Sequence, residues 1–464
     1  MKKKLLIASA LSSTLAFGQN THGLDSDGFS DSDSTHIENV KEFFSRGHVS
    51  GHVRYYFMST YTPGELTDYY ANAAGGTIRY QTAKWKGIKL GLGGNFIYNI
   101  GSSDLEQHDP LSGRSSRFEK QLFDVTDPGN KYDLDRLEEL FINYSNSWVS
   151  ITLGKHALYT PLVNPQDGRM KPYLVEGLWA DIRPSDHWVL HAGYITKMSP
   201  RSTVSWYRLE DAMGLYGQGV NPDGTPSDYK GNISTRGMAI AGFAYDKKNL
   251  SVQFWNYYLD NILNAAFTRV EYKYKTWFSG VQYLREDALH SGGSEQSEES
   301  YYPVNQTTNM VSLRLGKRIK NFNLSANFTH IFDSGRFLFP REFGREQFYT
   351  TIGRGRVEGM GDGQTVMLKG VWVPARHPEL SIEIDAGRTF TPGEANTELN
   401  KYILDSYDQY NLDVKYRFQG IWQGLTIRFL YVHNRLLEGG YSAPELIHNR
   451  HNYHHFNLIT NIYF

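Results

Sequence analysis

From Gly47 onward, apolar and polar side chains alternate with period two in one stretch after another. Successive side chains of a strand point to opposite faces, so this period makes each stretch a strand with one apolar and one polar face. Between Tyr410 and Phe418, the residues Tyr410, Leu412, Val414, Tyr416 and Phe418 share one face; Asn411, Asp413, Lys415 and Arg417 share the other. Val270, Tyr272 and Tyr274 oppose Arg269, Glu271, Lys273 and Lys275, and Val311, Leu313 and Leu315 oppose Ser312, Arg314 and Arg318. Near the start, Val49, Val53, Tyr55 and Phe57 oppose Ser50, His52, Arg54 and Tyr56. A soluble sandwich alternates too, so the connections decide between architectures. The pattern predicts about eighteen strands, an even number, among them 74–84, 135–145, 235–245 and 363–373. Alternation is poorest in the last two. Short links such as Asn146-Ser147 and Lys320-Asn321 alternate with long ones at 100–134, 157–172, 199–234, 288–307, 334–362 and 391–406. Short turns on one rim and long loops on the other mark an outer-membrane barrel. The link near 261–263 is unusually short for the long-loop rim.

The N-terminus points the same way. Lys2, Lys3 and Lys4 precede an apolar run from Leu5 to Leu15, and Ala16-Phe17-Gly18 follows as a small-x-small cleavage site. This is read as a secretory signal peptide at 1–18, because the apolar run falls short of the ~20 residues a spanning helix needs. Residues 19–45, with Asp25, Asp27, Asp31 and Asp33, are read as a flexible acidic segment rather than a calcium site, and 46–464 as the barrel domain. No other stretch spans a bilayer as a helix, so membrane insertion requires a closed barrel with no open sheet edge. At the end of the chain Phe456, Leu458, Ile462 and Phe464 share one face and the last residue is aromatic. Such a strand is a signal for the barrel assembly machinery of a Gram-negative outer membrane, with lipid and lipopolysaccharide as surroundings. Homotrimer and monomer both stay open.

The mean hydropathy is −0.51, although 14% of residues are aromatic, with 32 Tyr, 25 Phe and 44 Gly. This fits many strands wet on one face better than a helical core. Net charge is −1, which gives no global attraction to nucleic acid, and the absence of Cys excludes disulfides and thiol chemistry. A barrel of sixteen to eighteen strands leaves an aqueous channel. The polar face then lines it, and places Arg54, Arg79, Arg269, Lys273, Lys275, Arg314, Arg318, Lys415, Arg417 and Arg428 on the pore wall. Charges on the lipid face would cost up to ~2–4 kcal/mol each near the midplane. A basic wall favours anions, and Arg holds a carboxylate bidentately. Asp413, Glu271, Glu383 and Asp385 are the acids that would balance it.

Three segments carry a family resemblance. They are Phe44-Ser45-Arg46-Gly47-His48-Val49-Ser50-Gly51-His52-Val53-Arg54-Tyr55-Tyr56, the loop from Tyr159 to Gly177 with Asn164-Pro165-Gln166-Asp167-Gly168-Arg169, and Gly335-Arg-Phe-Leu-Phe-Pro-Arg-Glu-Phe-Gly-Arg-Glu-Gln-Phe-Tyr-Thr350. Over the whole mature barrel the chain resembles the OprD family of substrate-selective outer-membrane porins. The resemblance implies eighteen strands, a ladder of basic wall residues, a third extracellular loop folded into the lumen as a constriction, and small carboxylate-bearing solutes, amino acids among them. By position it makes 157–172 the constricting loop with Asp167 and Arg169 as eyelet candidates, and puts Arg341, Glu342, Arg345 and Glu346 in a seventh loop that assists. Salt bridges within the loops are the competing role for these residues. The loop at 100–134 and the acidic leader have no counterpart in the family.

No metalloprotease, nucleophile-elbow or phosphate-loop motif is present, so an enzyme is not the reading and no cofactor is called for. His448, His451, His454 and His455 cluster in sequence, but His454 and His455 would face opposite sides of the last strand, so no metal site is assigned. The reading is a porin for passive, selective diffusion of small hydrophilic solutes along a basic wall. The alternative is an adhesin or structural barrel acting through its extracellular loops.

Overall fold

The computed structural model describes residues 37–166, 168–437 and 443–464. The predicted signal peptide, most of the acidic segment and Asp167 lie outside the described residues. Residues 40–45 form a short helix, α1 (Val40–Ser45), whose first turn is capped by the Asn39 side chain accepting from the Glu42 amide at 3.1 Å.

The strands are β1 (His48–Tyr61), β2 (Tyr69–Gln81), β3 (Ile88–Ser102), β4 (Arg136–Ser145), β5 (Val149–His156), β6 (Leu174–Ser185), β7 (Trp188–Ser199), the two-residue β8 (Tyr207–Arg208) and β9 (Met238–Lys247). They continue as β10 (Leu250–Leu259), β11 (Leu263–Tyr274), β12 (Trp277–Ala288), β13 (Thr307–Ile319), β14 (Phe322–Ile331), β15 (Gly363–Trp372), β16 (Leu380–Phe390), β17 (Tyr407–Arg417), β18 (Leu425–Leu436) and β19 (Tyr453–Tyr463). Each pairs antiparallel with the next except β8, which pairs with β7 alone; β7 pairs directly with β9, and β1 pairs with both β2 and β19. The result is a closed antiparallel barrel of eighteen staves, with β8 as an extra strand inside a loop. At the seam, Gly51 and Phe464 exchange backbone hydrogen bonds of 3.0 and 3.1 Å.

The outer face follows the predicted parity. Val53, Leu92, Leu315, Leu368, Ile384 and Ile462 stand exposed on the outer face, where lipid would receive them. Aromatic residues ring the turn rim at Trp188, Tyr274, Trp277, Phe322, Trp372 and Phe464, and the loop rim at Tyr98, Tyr194, Tyr258, Tyr283, Phe332 and Phe390. Such rings occupy membrane–water interfaces because they are apolar at one end and wet at the other. Among the described residues no helix is long and apolar enough to cross a membrane.

β2 begins five residues before its predicted start. Its opening Tyr69 to Gly76 runs through small residues that do not alternate, and the register slips between Asn72 and Ala73. The link between β10 and β11 is a tight turn on the long-loop rim, with Asn261 at φ 64°.

The long loops are L2 (103–135), L3 (157–173), L4 (200–237), L6 (289–306), L7 (332–362), L8 (391–406) and L9 (437–452). L3, L4 and L7 fold inward and build an apolar core with Leu162, Val163, Leu209, Met213, Phe337, Phe339, Phe343 and Phe348. This core packs on Trp179, Ile195, Ile240, Trp255, Tyr257, Phe267 and Leu284 of β6 to β12, so the inner face there is apolar. L2 forms a second core with Leu105, Phe118, Leu122, Phe123 and Leu134 on Tyr56, Met58, Ala71, Ile97, Val432 and Tyr453 of β1 to β3, β18 and β19. The strand order puts these two walls on opposite sides of the ring. The lumen therefore holds two plugs, joined on one side where Ser202 of L4 bonds Val125 and Gln121 of L2 and Lys171 of L3 bonds the Leu134 carbonyl, with a gap left between them.

Candidate functional site

The gap is a cavity of about 480 Å³. Nine arginines and Lys120 line it, and among the described residues no carboxylate does. The cations come from L2 (Arg114, Arg117, Lys120), L3 (Arg169), L4 (Arg201), L7 (Arg341, Arg345, Arg354, Arg356) and L9 (Arg450).

Neutral acceptors hold many of them. Arg117 donates to the Asn449 carbonyl at 2.8 Å and lies over the Phe118 ring, while Arg114 donates to the Glu445 carbonyl at 2.6 Å. Arg169 and Arg201 share the Gln121 side-chain oxygen, at 3.4 and 2.7 Å. Arg354 donates to His455 Nε2 at 2.9 Å and to Asn457 at 2.6 Å. Arg450 donates to the Tyr402 carbonyl at 2.9 Å. For Arg117 the carbonyl dipole fixes the guanidinium without cancelling its charge. Burial pulls Arg114, Arg117 and Lys120 below their ordinary pKa values. Desolvation is what buried cations resist, and an anion in the cavity would relieve it.

Two contacts lock the loops that carry these groups. The Asn164 side chain of L3 donates to the Arg345 carbonyl of L7 at 2.8 Å. Beside it Gly344, at φ 152°, lets the two backbones meet: a Cβ there would lie 2.7 Å from the Asn164 nitrogen. In L7, Gly353 accepts from the side chains of Gln409 and Asn411 on the wall, at 2.7 and 3.0 Å. This docks the neighbouring Arg354, itself in the left-handed region at φ 68°.

The constriction candidates divide. Arg169, Arg341 and Arg345 line the cavity. Arg341 is also ion-paired with Glu358, which raises its pKa against burial, and lies over the Tyr402 ring. Glu342 and Glu346 are buried and structural. Glu342 accepts from the amides of Gly214 and Tyr216 at 3.1 and 3.0 Å, and Glu346 from the Val357 amide at 3.1 Å.

The candidate wall track lies outside the cavity lining, and four of its members are ion-paired. Arg79 pairs with Glu139 at 2.9 Å, Arg314 with Glu271 at 2.5 Å, Lys415 with Asp413 at 3.0 Å, and Arg428 grips Asp413 bidentately at 2.9 and 2.7 Å. Arg54 reaches the Arg169 carbonyl at 2.5 Å, Arg269 the Gln347 carbonyl at 3.2 Å, and Arg318 the Asn323 side chain at 3.2 Å. Lys273 is exposed near the turn rim, and Arg417 ends β17 on the same rim. The histidines scatter: His448 bonds Ser112 and Thr67, His451 bonds Asn434, His454 bonds Tyr431, and His455 bonds Thr60. Among the described residues no group of three or more His, Asp or Glu is arranged to hold a metal ion.

Seven cavity cations were not singled out from sequence: Arg114, Arg117, Lys120, Arg201, Arg354, Arg356 and Arg450. The local signal was present in Arg114-x-x-Arg117-x-x-Lys120 and Arg354-Gly355-Arg356. Nothing local shows that these stretches converge.

A closed eighteen-stranded barrel, apolar outside and narrowed inside by its own loops, is the architecture of outer-membrane porins. Solved structures of the OprD/Occ porins share this fold. OccK8 (OprE) of Pseudomonas aeruginosa superposes with a TM-score of 0.69 at 13% identity, covering 91% of this chain and 99% of that one. OccK3 (OpdO) of the same organism gives 0.67 at 14% identity, covering 91% and 97%. OccAB4 of Acinetobacter baumannii gives 0.67 at 13%, covering 90% and 98%. No family model matches the sequence, and no curated protein matches it.

Proposed function

We propose that the protein is an outer-membrane porin through which small hydrophilic anions, carboxylates among them, diffuse passively. The observation that carries this is the cavity between the two plugs, lined by ten cationic side chains and, among the described residues, by no carboxylate. A solute crossing the lumen would pass from a wall where acids and bases are mixed to a constriction whose lining is basic, with Arg341 and Arg356 backed by Glu358 and Glu346. Fixed charge at a narrow point sets ion preference more strongly than charge on a wide wall. The fold shared with the OprD/Occ porins supports the reading.

Planar-bilayer recordings of the purified, refolded protein in a salt gradient test it. Anion-selective reversal potentials are expected. Neutralising Arg314 with Arg318, or Lys415 with Arg417, should lower that preference, because Glu271 or Asp413 would then stand less compensated. Unchanged potentials in both variants would remove the wall from the mechanism. A folded, heat-modifiable barrel with no conductance would return the protein to the adhesin reading.

A further inference from the structure

We infer that the cavity favours solutes bearing two or more negative charges over monoanions, and that L2 sets this preference through Arg114, Arg117 and Lys120. The inference rests on the anion-porin reading and names its solute class more closely.

L2 is anchored. Phe118, Leu122 and Phe123 are buried in the core on the seam wall. Between them Glu119 is buried too, its carboxylate accepting from the Thr60 hydroxyl at 2.5 Å and the Ser116 hydroxyl at 2.7 Å. The single helical turn Glu119–Leu122 therefore turns one side to the wall and presents Lys120 and Gln121 to the cavity, which Arg117 lines from just before the turn. Cations on a mobile loop could swing away from one another into water. These cannot.

Their hydrogen-bond acceptors are neutral: the Asn449 carbonyl for Arg117, the Glu445 carbonyl for Arg114, and the Ser115 hydroxyl at 3.5 Å for Lys120; only Arg114 also feels a carboxylate, that of Glu445. Arg354 and Arg356 of L7 line the same cavity, Arg356 with the Glu346 carboxylate 3.7 Å behind it. In so small a volume like charges repel through a medium less polar than bulk water. A monoanion relieves one part of that repulsion. A solute with a second anionic group relieves another part without a second loss of translational freedom, so its gain exceeds that of two separate monoanions. A volume of about 480 Å³ suits a small organic ion, being within the range of ligand cavities. Gln121 adds a positioning role. Its oxygen accepts from the guanidinium groups of Arg169 and Arg201, and its nitrogen donates to the Arg117 backbone carbonyl at 2.9 Å, so one side chain ties two cations to the L2 backbone. The chemical class is a small polycarboxylate or a phosphorylated solute.

The test is current block in planar bilayers by acetate, succinate and citrate at pH 7.5, on the full-length protein. The concentration for half block should fall by roughly tenfold or more at each added charge, about 1.4 kcal/mol per step. In Arg117→Gln/Lys120→Gln the three anions should block at similar concentrations, while Arg117→Lys/Lys120→Arg keeps the order. Where the double variant fails to fold, Lys120→Gln alone decides, since that side chain is only partly buried; it must narrow the succinate-to-acetate ratio. Equal block by all three anions in the wild type overturns the inference, as does a valence order that survives in the glutamine variants. Absence of anion-selective current in the wild type instead overturns the underlying porin reading, so the two failures are distinct.

Discussion

Lys401 of L8 ties four loops together with one charge. Its ammonium lies 3.9 Å from Glu358 of L7, 3.4 Å from the Tyr229 hydroxyl of L4, and within 4.6 to 5.6 Å of the ring centres of Tyr229, Tyr301 and Tyr402. Burial pulls its pKa down to about 8, against the attraction of Glu358. The unfolded loop would titrate near 10.4. Below about pH 8 both states are protonated and the packed loops carry the full cost of burying the charge. Between pH 8 and 10 the unfolded state binds more protons, so packing gains stability as pH rises. The gain stops where unfolded tyrosines ionise, since burial raises Tyr229, Tyr301 and Tyr402. Amide exchange in L7 and L8, corrected for its intrinsic pH dependence, should therefore slow between pH 7.5 and 9.5 by ~10-fold, about one pKa unit's worth. Lys401→Met should abolish the dependence. A flat profile in the wild type would show that Lys401 stays charged throughout.

At the scale of elements, β4 shows how one extra residue changes what the wall carries. Gly93 of β3 faces Glu139, and the next residue, Gly94, faces Leu137, which leaves Glu138 as a bulge. A bulge points an additional side chain inward, so Glu138 and Glu139 both reach the lumen. Glu138 meets Arg136 at 3.2 Å, and Arg136 in turn donates to the carbonyls of Pro172 and Pro200 at 2.7 and 2.8 Å, joining L3 and L4 to the wall. Glu138→Ala would leave a buried guanidinium without its acid, a loss of ~3–5 kcal/mol. A lower midpoint of heat modifiability and faster proteolysis of L3 and L4 should reveal it. Strict alternation cannot show a bulge, and this marks where the sequence stops being informative. Strands such as β1, β11, β13 and β17 were plain from their period because one face meets lipid and the other water. β9 was faint because Met238, Ile240 and Ala244 point inward and are buried, so both its faces are apolar; in β15 the buried Met367 interrupts an inner face that otherwise carries Thr365 and Lys369. The site was less legible still. Arg169, Arg341 and Arg345 came from a resemblance in two loops, whereas Arg117, Lys120 and Arg354 reach the cavity only because separate loops dock on separate walls.

The whole molecule depends on two kinds of burial at once. The staves are closed by backbone pairing and present apolar side chains outward. The plugs are held inside by ordinary core packing of Phe337, Phe339, Phe348, Phe118 and Leu122, with Asn164 and Lys401 as polar ties. In chemical terms this is one chain turned inside out around a second, conventional globule. The hydrophobic effect that holds the inner globule needs water; the outer shell is surrounded by lipid that denaturant scarcely reaches. Urea weakens the first directly, and segments with their own small core open below the global transition. Raising urea over a reconstituted channel should therefore give a larger conductance and a smaller anion preference before any loss of the barrel's strand signal. A simultaneous loss of both would mean that plug and shell fold as one unit. If the plug does melt first, the selectivity proposed for this protein is a folded state of its own, one that can be lost while the closed barrel remains.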